Sequence, residues 1–316
     1  MRQLTIIGGA GLNMAISQSC HFADELLNFT YQKISTNVYS RINSEIKNLF
    51  SPESFDYILG GLLTINLAIE KTKEDLKRFQ VNEDAFSDLF QQSALQDSIA
   101  DALDQIERQL TISLSQMLEV VNHFNPCIDG IIKKYESINY FTTNFDAIFD
   151  HILYGQGYSR RDYITDFWRG NGSLNTDAAA KIKIHHLHGD LRYKPFKKTN
   201  YNNPPYRWPV LVVGDQEVKM GLIAGHESLR FYNNRLRAIS EKRDSIQKNT
   251  LAIIGFGFRQ EDEHIISKIK NGIKDKIFDE VFLYNPTNTL LNDGICSTHT
   301  WIQPKDENLS TFLERL

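Results

Sequence analysis

The 316-residue chain is poor in cysteine: Cys20, Cys127 and Cys296 stand far apart, with no C-x-x-C pair among them. That spacing excludes a cysteine-rich zinc module and an even disulfide framework, so a reducing compartment is the simplest reading. Long apolar runs are missing, and none reaches the roughly 20 residues of a membrane-spanning helix. Met1-Arg2-Gln3 leads straight into a strand-like run and not into a signal-peptide core. Charge of one sign is lacking too. Lys and Arg number 35 against 39 Asp and Glu, a formal net charge of -4. No global basic field for nucleic acid follows from that balance. Repeats and low-complexity segments are absent. The expectation is a cytoplasmic protein with no membrane partner and no direct nucleic-acid partner.

What is present is a change of apolar period along the chain. Leu4-Thr5-Ile6-Ile7 reads as a strand and ends at Gly8-Gly9-Ala10-Gly11. From about Asn13 to Lys134 the spacing turns helical, as in Ile42, Ile46, Leu49 and Phe50, then Leu95, Ile99, Leu103, Ile106 and Leu110. Pro52 suits the first turn of a helix after a break. After Tyr135 strands and helices alternate. Strands are expected at 138–141, 182–187, 210–213, 251–254, 280–284 and 299–302, and helices at 227–247 and 263–273. Asp262, Glu263 and His264 are expected to cap the latter helix. The fold class is α/β: a Rossmann-like, doubly wound parallel sheet of about six strands with a large helical insertion after the first. Residues 1–12 and 135–316 form the sheet domain and 13–134 the helical module. The aromatic, basic and Pro-rich stretch 193–208 reads as an irregular surface segment.

Three motifs stand at strand ends, where an open parallel sheet binds ligands. Gly8-Gly9-Ala10-Gly11 allows a tight turn and close approach to a pyrophosphate, or simply a tight turn for packing. Thr142-Thr143-Asn144-Phe145-Asp146 offers Asn144 to a ribose or a water and Asp146 to an amide, or else a helix cap. His188-Gly189 offers a general base with a pKa near neutrality, or a structural histidine. His186 and His188 share one strand face, but Asp190 is the only close acid and no cysteine is near, so no metal is expected. Gly255-Phe256-Gly257-Phe258 repeats the strand–glycine pattern, and Asn285 ends a further strand.

In this order the motifs resemble the sirtuin family, and most of all the sirtuin-like domains of bacterial anti-phage defence proteins. The resemblance implies an NAD-binding sheet with NAD as substrate and no metal. It makes Ala10 and Gly11 the phosphate turn, Asn144 the residue that places water and ribose, and Asp146 the reader of the nicotinamide carboxamide. His188 becomes the catalytic base. Gly9, Asn13, Thr143, Gly189, Gly255, Gly257 and Asn285 complete the nucleotide-binding set. Asn13 stands where the family usually has Ser, and Thr143 where it has Gln. The four-cysteine zinc module and the segments that build an acyl-lysine channel are missing. Hydrolysis of the nicotinamide–ribose bond is therefore expected, ahead of a nucleotide-binding regulatory module, a protein deacylase or an ADP-ribosyltransferase. The resemblance further implies a gated defence effector that forms a homo-oligomer or answers to a separate ATPase, Argonaute-type or sensor protein.

Overall fold

The computed structural model describes residues 1–20, 60, 64, 114–160, 164–166, 180–190, 211–238, 248–284, 300–302 and 307–316. Asn285, the 193–208 stretch, Pro52 and the apolar stripes at 42–50 and 95–110 lie outside the described residues.

Among the described residues seven strands form one sheet: β1 (Arg2–Gly8), β2 (Ser137–Thr142), β3 (Ile164–Asp166), β4 (Ile182–His186), β5 (Lys248–Ile254), β6 (Glu280–Tyr284) and β7 (Thr300–Ile302). Their order is β3-β4-β2-β1-β5-β6-β7, and every neighbouring pair is parallel. From β1 the chain adds β2 on one side, then β3 at the far edge and β4 between β3 and β2, and crosses back to β5 on the other side of β1. The strand order thus reverses between β1 and β5, the place where such sheets open a ligand crevice.

Two readings of the sequence need correction. β3 is a strand the apolar pattern does not disclose, because Ile-Thr-Asp is too short to show a period. The run ending at Val213 is not a strand of the sheet. Leu211 makes a lone antiparallel bridge to Gly189, and the Val212 N–H donates to the His188 carbonyl at 2.8 Å. Leu211, Val212 and Val213 are buried over the end of β4. Their burial satisfies the apolar run without a hydrogen-bonded ladder.

Successive strand residues face opposite sides. One side packs α1 (Ala10–Ser19), α2 (Leu114–Lys134), α3 (Ile148–Tyr154) and α7 (Leu309–Arg315) against Leu4, Ile6, Ile182, Ile184, Ala252 and Ile254. The remaining described helices are α4 (Gln216–Gly225), α5 (Glu227–Ala238) and α6 (Glu263–Lys274). On the opposite side of the sheet His185 stacks on Phe141 at 4.4 Å and meets the edge of Tyr232 of α5 at 5.8 Å. Burial pushes the His185 pKa well down, so this ring is a neutral core group. No helix among the described residues is long and apolar enough to cross a membrane.

Arg160 ties α2 to α3. Its Nε and Nη2 donate to Asp129 Oδ1 at 3.1 and 2.7 Å, and Nη2 also donates to Asn125 Oδ1 at 3.0 Å. Its Nη1 donates to the Ile152 carbonyl at the end of α3 at 3.2 Å. Arg160→Ala strands that buried carbonyl. The expected cost is about 2–3 kcal/mol, read as a lower urea midpoint. Arg160→Lys is expected to recover little, since one ammonium cannot reproduce the fork.

Candidate functional site

The register aligns the strand ends. Tyr284 of β6, Ile254 of β5, Gly8 of β1, Thr142 of β2 and His186 of β4 stand in one row. Gly255, Gly9 and Thr143 come one residue beyond that row, and Asn144 and His188 come two beyond. Motifs separated by up to about 250 residues of chain thereby share one edge.

At the β1/β5 reversal two turns touch. Gly9 N–H donates to the Ile254 carbonyl at 3.1 Å and Gly11 N–H to the Gly255 carbonyl at 2.9 Å. A Cβ on Gly9 would stand 2.7 Å from Gly255 O and 2.8 Å from Phe256 Cα, and one on Gly11 would stand 2.8 Å from Gly255 Cα. These glycines are small first of all because one backbone passes against another. The Gly11 amide, expected to face a phosphate, is spent on Gly255. Ala10, exposed at the tip of the turn, and Gly257, also exposed, lie at the open surface of this contact. Among the described residues a Cβ on Gly257 would meet only the Arg259 side chain, at 3.6 Å.

Asn13, in the first turn of α1, is buried and donates from Nδ2 to Asp146 Oδ2 at 2.8 Å. Its Oδ1 accepts from Asn144 Nδ2 at 3.4 Å. Asp146 Oδ1 accepts the Ile148 N–H that opens α3 at 3.0 Å, and the Asn144 N–H donates to Thr142 Oγ1 at 3.0 Å. The Thr143 N–H donates to the Gly8 carbonyl at 3.1 Å, locking this loop to β1. Three residues picked out by sequence, Asn13, Asn144 and Asp146, are therefore one hydrogen-bonded group. Burial pushes the Asp146 carboxyl above its ordinary value, against the bonds from Ile148 and Asn13. Each carboxylate oxygen keeps a second lone pair for a ligand amide.

The two histidines of the His-Leu-His segment part company, contrary to the reading that they share a strand face. His186 ends β4 with Nδ1 3.2 Å from the Asn144 carbonyl and Nε2 2.8 Å from Asp150 Oδ2. Asp190 Oδ2 lies 3.6 Å from the same Nε2, so Asp190 is not the only close acid. These three fully buried groups offer ligand atoms within 4.8 Å of one another. The 2.8 Å contact is a hydrogen-bond separation. Two ligands of a tetrahedral ion with bonds of about 2.0–2.1 Å would stand about 3.3 Å apart. The spacing suits a proton between nitrogen and carboxylate better than an ion. Since the Asn144 carbonyl can only accept, His186 carries a proton on Nδ1 and braces the Asn144 backbone.

His188 leads elsewhere. Its Nε2 is 3.4 Å from Asp262 Oδ1, out of line for a hydrogen bond and without another partner among the described residues. Asp262 Oδ1 accepts from Lys219 Nζ at 2.6 Å, and the His264 ring stands 5.7 Å from that of His188. Burial lowers the His188 pKa to about 3, opposed by Asp262 and assisted by Lys219 and His264. The near-neutral value expected from sequence is thus corrected: enclosure keeps this imidazole uncharged at neutral pH. Asp262 is also not the cap it was read as. It occupies the position before α6 but makes no side-chain bond to that helix. Burial raises its carboxyl, but His188, Lys219 and His264 outweigh that and hold it below its usual range. Gly189 follows with φ +88, turning the chain into its bridge with Leu211.

Sequence reasoning missed Asp150, Lys219 and Asp262 as site residues. Only Asp150 had a local signal, one helical turn after Asp146. Comparison with protein-family models and with curated proteins finds no match for this chain.

Proposed function

We propose that this chain is an NAD glycohydrolase that cleaves the nicotinamide–ribose bond to give nicotinamide and ADP-ribose. The observation that carries the reading is the register row, which sets the Gly9–Gly11 turn, the Asn13–Asn144–Asp146 group and His188 along one sheet edge at the strand reversal. NAD lies across that edge, with its pyrophosphate over the Ala10 tip. Asp146 accepts from the carboxamide. The C1′–N bond breaks with its electron pair going to nicotinamide, which leaves neutral. A water placed by Asn144 adds to C1′, and His188 takes its proton. An enzyme at full rate would exhaust the cell's NAD, so self-assembly or a separate partner raises turnover above the basal rate that the purified chain keeps, as suits a defence effector.

Incubation with NAD is expected to release nicotinamide and ADP-ribose in equal amounts with no acyl-lysine peptide present. A requirement for that peptide, or ADP-ribose left on protein, would mean transfer and not hydrolysis. The pH profile follows from the buried base. A lowered pKa keeps His188 neutral from high pH down to about 3, so kcat/KM is expected to hold its plateau through pH 6.5 and fall only in stronger acid. A half-loss near 6.5 would instead mark a solvated histidine.

One observation favours a second reading, a nucleotide sensor without turnover: the Gly11 amide is already bonded to Gly255. Tight NAD binding by calorimetry with no product would select it.

A further inference from the structure

We propose that Asp262, held in place by Lys219, is the positioning carboxylate of His188: it fixes which ring nitrogen carries the proton and steadies the imidazolium formed during turnover. This inference rests on the proposed hydrolase reading and adds two residues to it.

Three observations converge on the assignment. First, Asp262 stands at the position before the 12-residue helix α6 yet makes no side-chain bond to it. The carboxylate turns to Lys219 and His188 instead. Second, His188 Nε2 is buried without a hydrogen-bond partner among the described residues, and Asp262 Oδ1 is the acceptor beside it, at 3.4 Å. Contacts of this kind are often long or misaligned before a substrate arrives and tighten when it is bound. Third, Lys219 is itself nine-tenths buried and 2.6 Å from the same oxygen. That contact helps hold the Asp262 carboxyl below its usual range, so the acceptor stays an acceptor.

The chemistry follows from the ring's two nitrogens. A neutral imidazole carries one proton. With that proton on Nε2, toward Asp262, the lone pair sits on Nδ1 and is the basic one. When Nδ1 takes the proton from the attacking water, the new positive charge meets the Asp262 carboxylate at Nε2. Among the described residues, Lys219 and the neutral His264, lowered by burial to about 4, complete the charged and titratable surroundings of the ring. Lys219 opposes the imidazolium, so proton uptake is brief and the base returns to its neutral form.

The test uses the full chain. In wild type, nitrogen-15 NMR of the His188 ring is expected to show the Nε2–H tautomer. The Nδ1–H tautomer would overturn the proposal, and this result needs neither turnover nor a variant. Asp262→Asn is expected to lower kcat by about 10²-fold or more while the KM for NAD stays within about 2-fold, because Asp262 orients the base and does not touch substrate. The same variant is expected to mix the His188 tautomers. A kcat within about 3-fold of wild type, or an unchanged tautomer in a folded Asp262→Asn protein, would overturn it. A wild-type chain that turns over no NAD would count against the hydrolase reading, and the wild-type tautomer would still decide the role of Asp262.

Discussion

His188→Ala is expected to lower the rate of NAD cleavage by about 10³–10⁴-fold, the upper part of what one general base contributes. The loss should fall on kcat, since the imidazole acts on the attacking water and not on the bulk of the nucleotide. The fold should survive. His188 donates no side-chain hydrogen bond that the sheet needs, and the Lys219–Asp262 pair remains closed without it. Circular dichroism and the urea midpoint of the variant check that point. Turnover equal to wild type in a folded variant would remove His188 from the mechanism.

The largest expected effect on folding comes from Gly255→Ala. Gly255 has φ +59, and an added Cβ would collide with the backbone at Gly11 C and Leu12 N. Backbone on both sides cannot turn aside as a flexible side chain would. Left-handed strain of about 1–3 kcal/mol therefore adds to a separation of the two turns, and about 4 kcal/mol or more in total is expected. That is a large share of the 5–15 kcal/mol that typically holds a domain together. Gly157→Ala is the matched control. Gly157 has φ +60 but no atom of the described residues within 4 Å of the added one, so it should lose only about 1 kcal/mol. Equal urea midpoints for the two variants would show that the β1–β5 contact is not the constraint described above.

These two residues also show what the sequence could disclose. The central strands were legible because each is an apolar run cut off by glycines or a polar motif, as Leu251–Ile254 is by Gly255. The parallel order then set the motifs on one edge. β3 was hidden because only Ile164 of its three residues is apolar. The run ending at Val213 was misread because burial alone, with no ladder, leaves the same pattern as a strand. An Asp before a helix looks alike whether it caps that helix or faces a lysine 43 residues away, so Asp262 was given the local role. Asp150 and His186 meet only because α3 folds back over the end of β4. The pKa of His188 followed burial, which no motif reports.

Conversion of NAD by the wild-type chain and by Asn144→Ala, side by side, with chromatography for nicotinamide and ADP-ribose, tests the central claim most directly. Asn144 sits at the centre of the site, bonded through its side chain to Asn13 and through its carbonyl to His186. Both products from wild type, and a loss of orders of magnitude in a folded Asn144→Ala protein, are the predicted result. Equal conversion by the two proteins, or bound NAD that wild type leaves intact, would contradict the account.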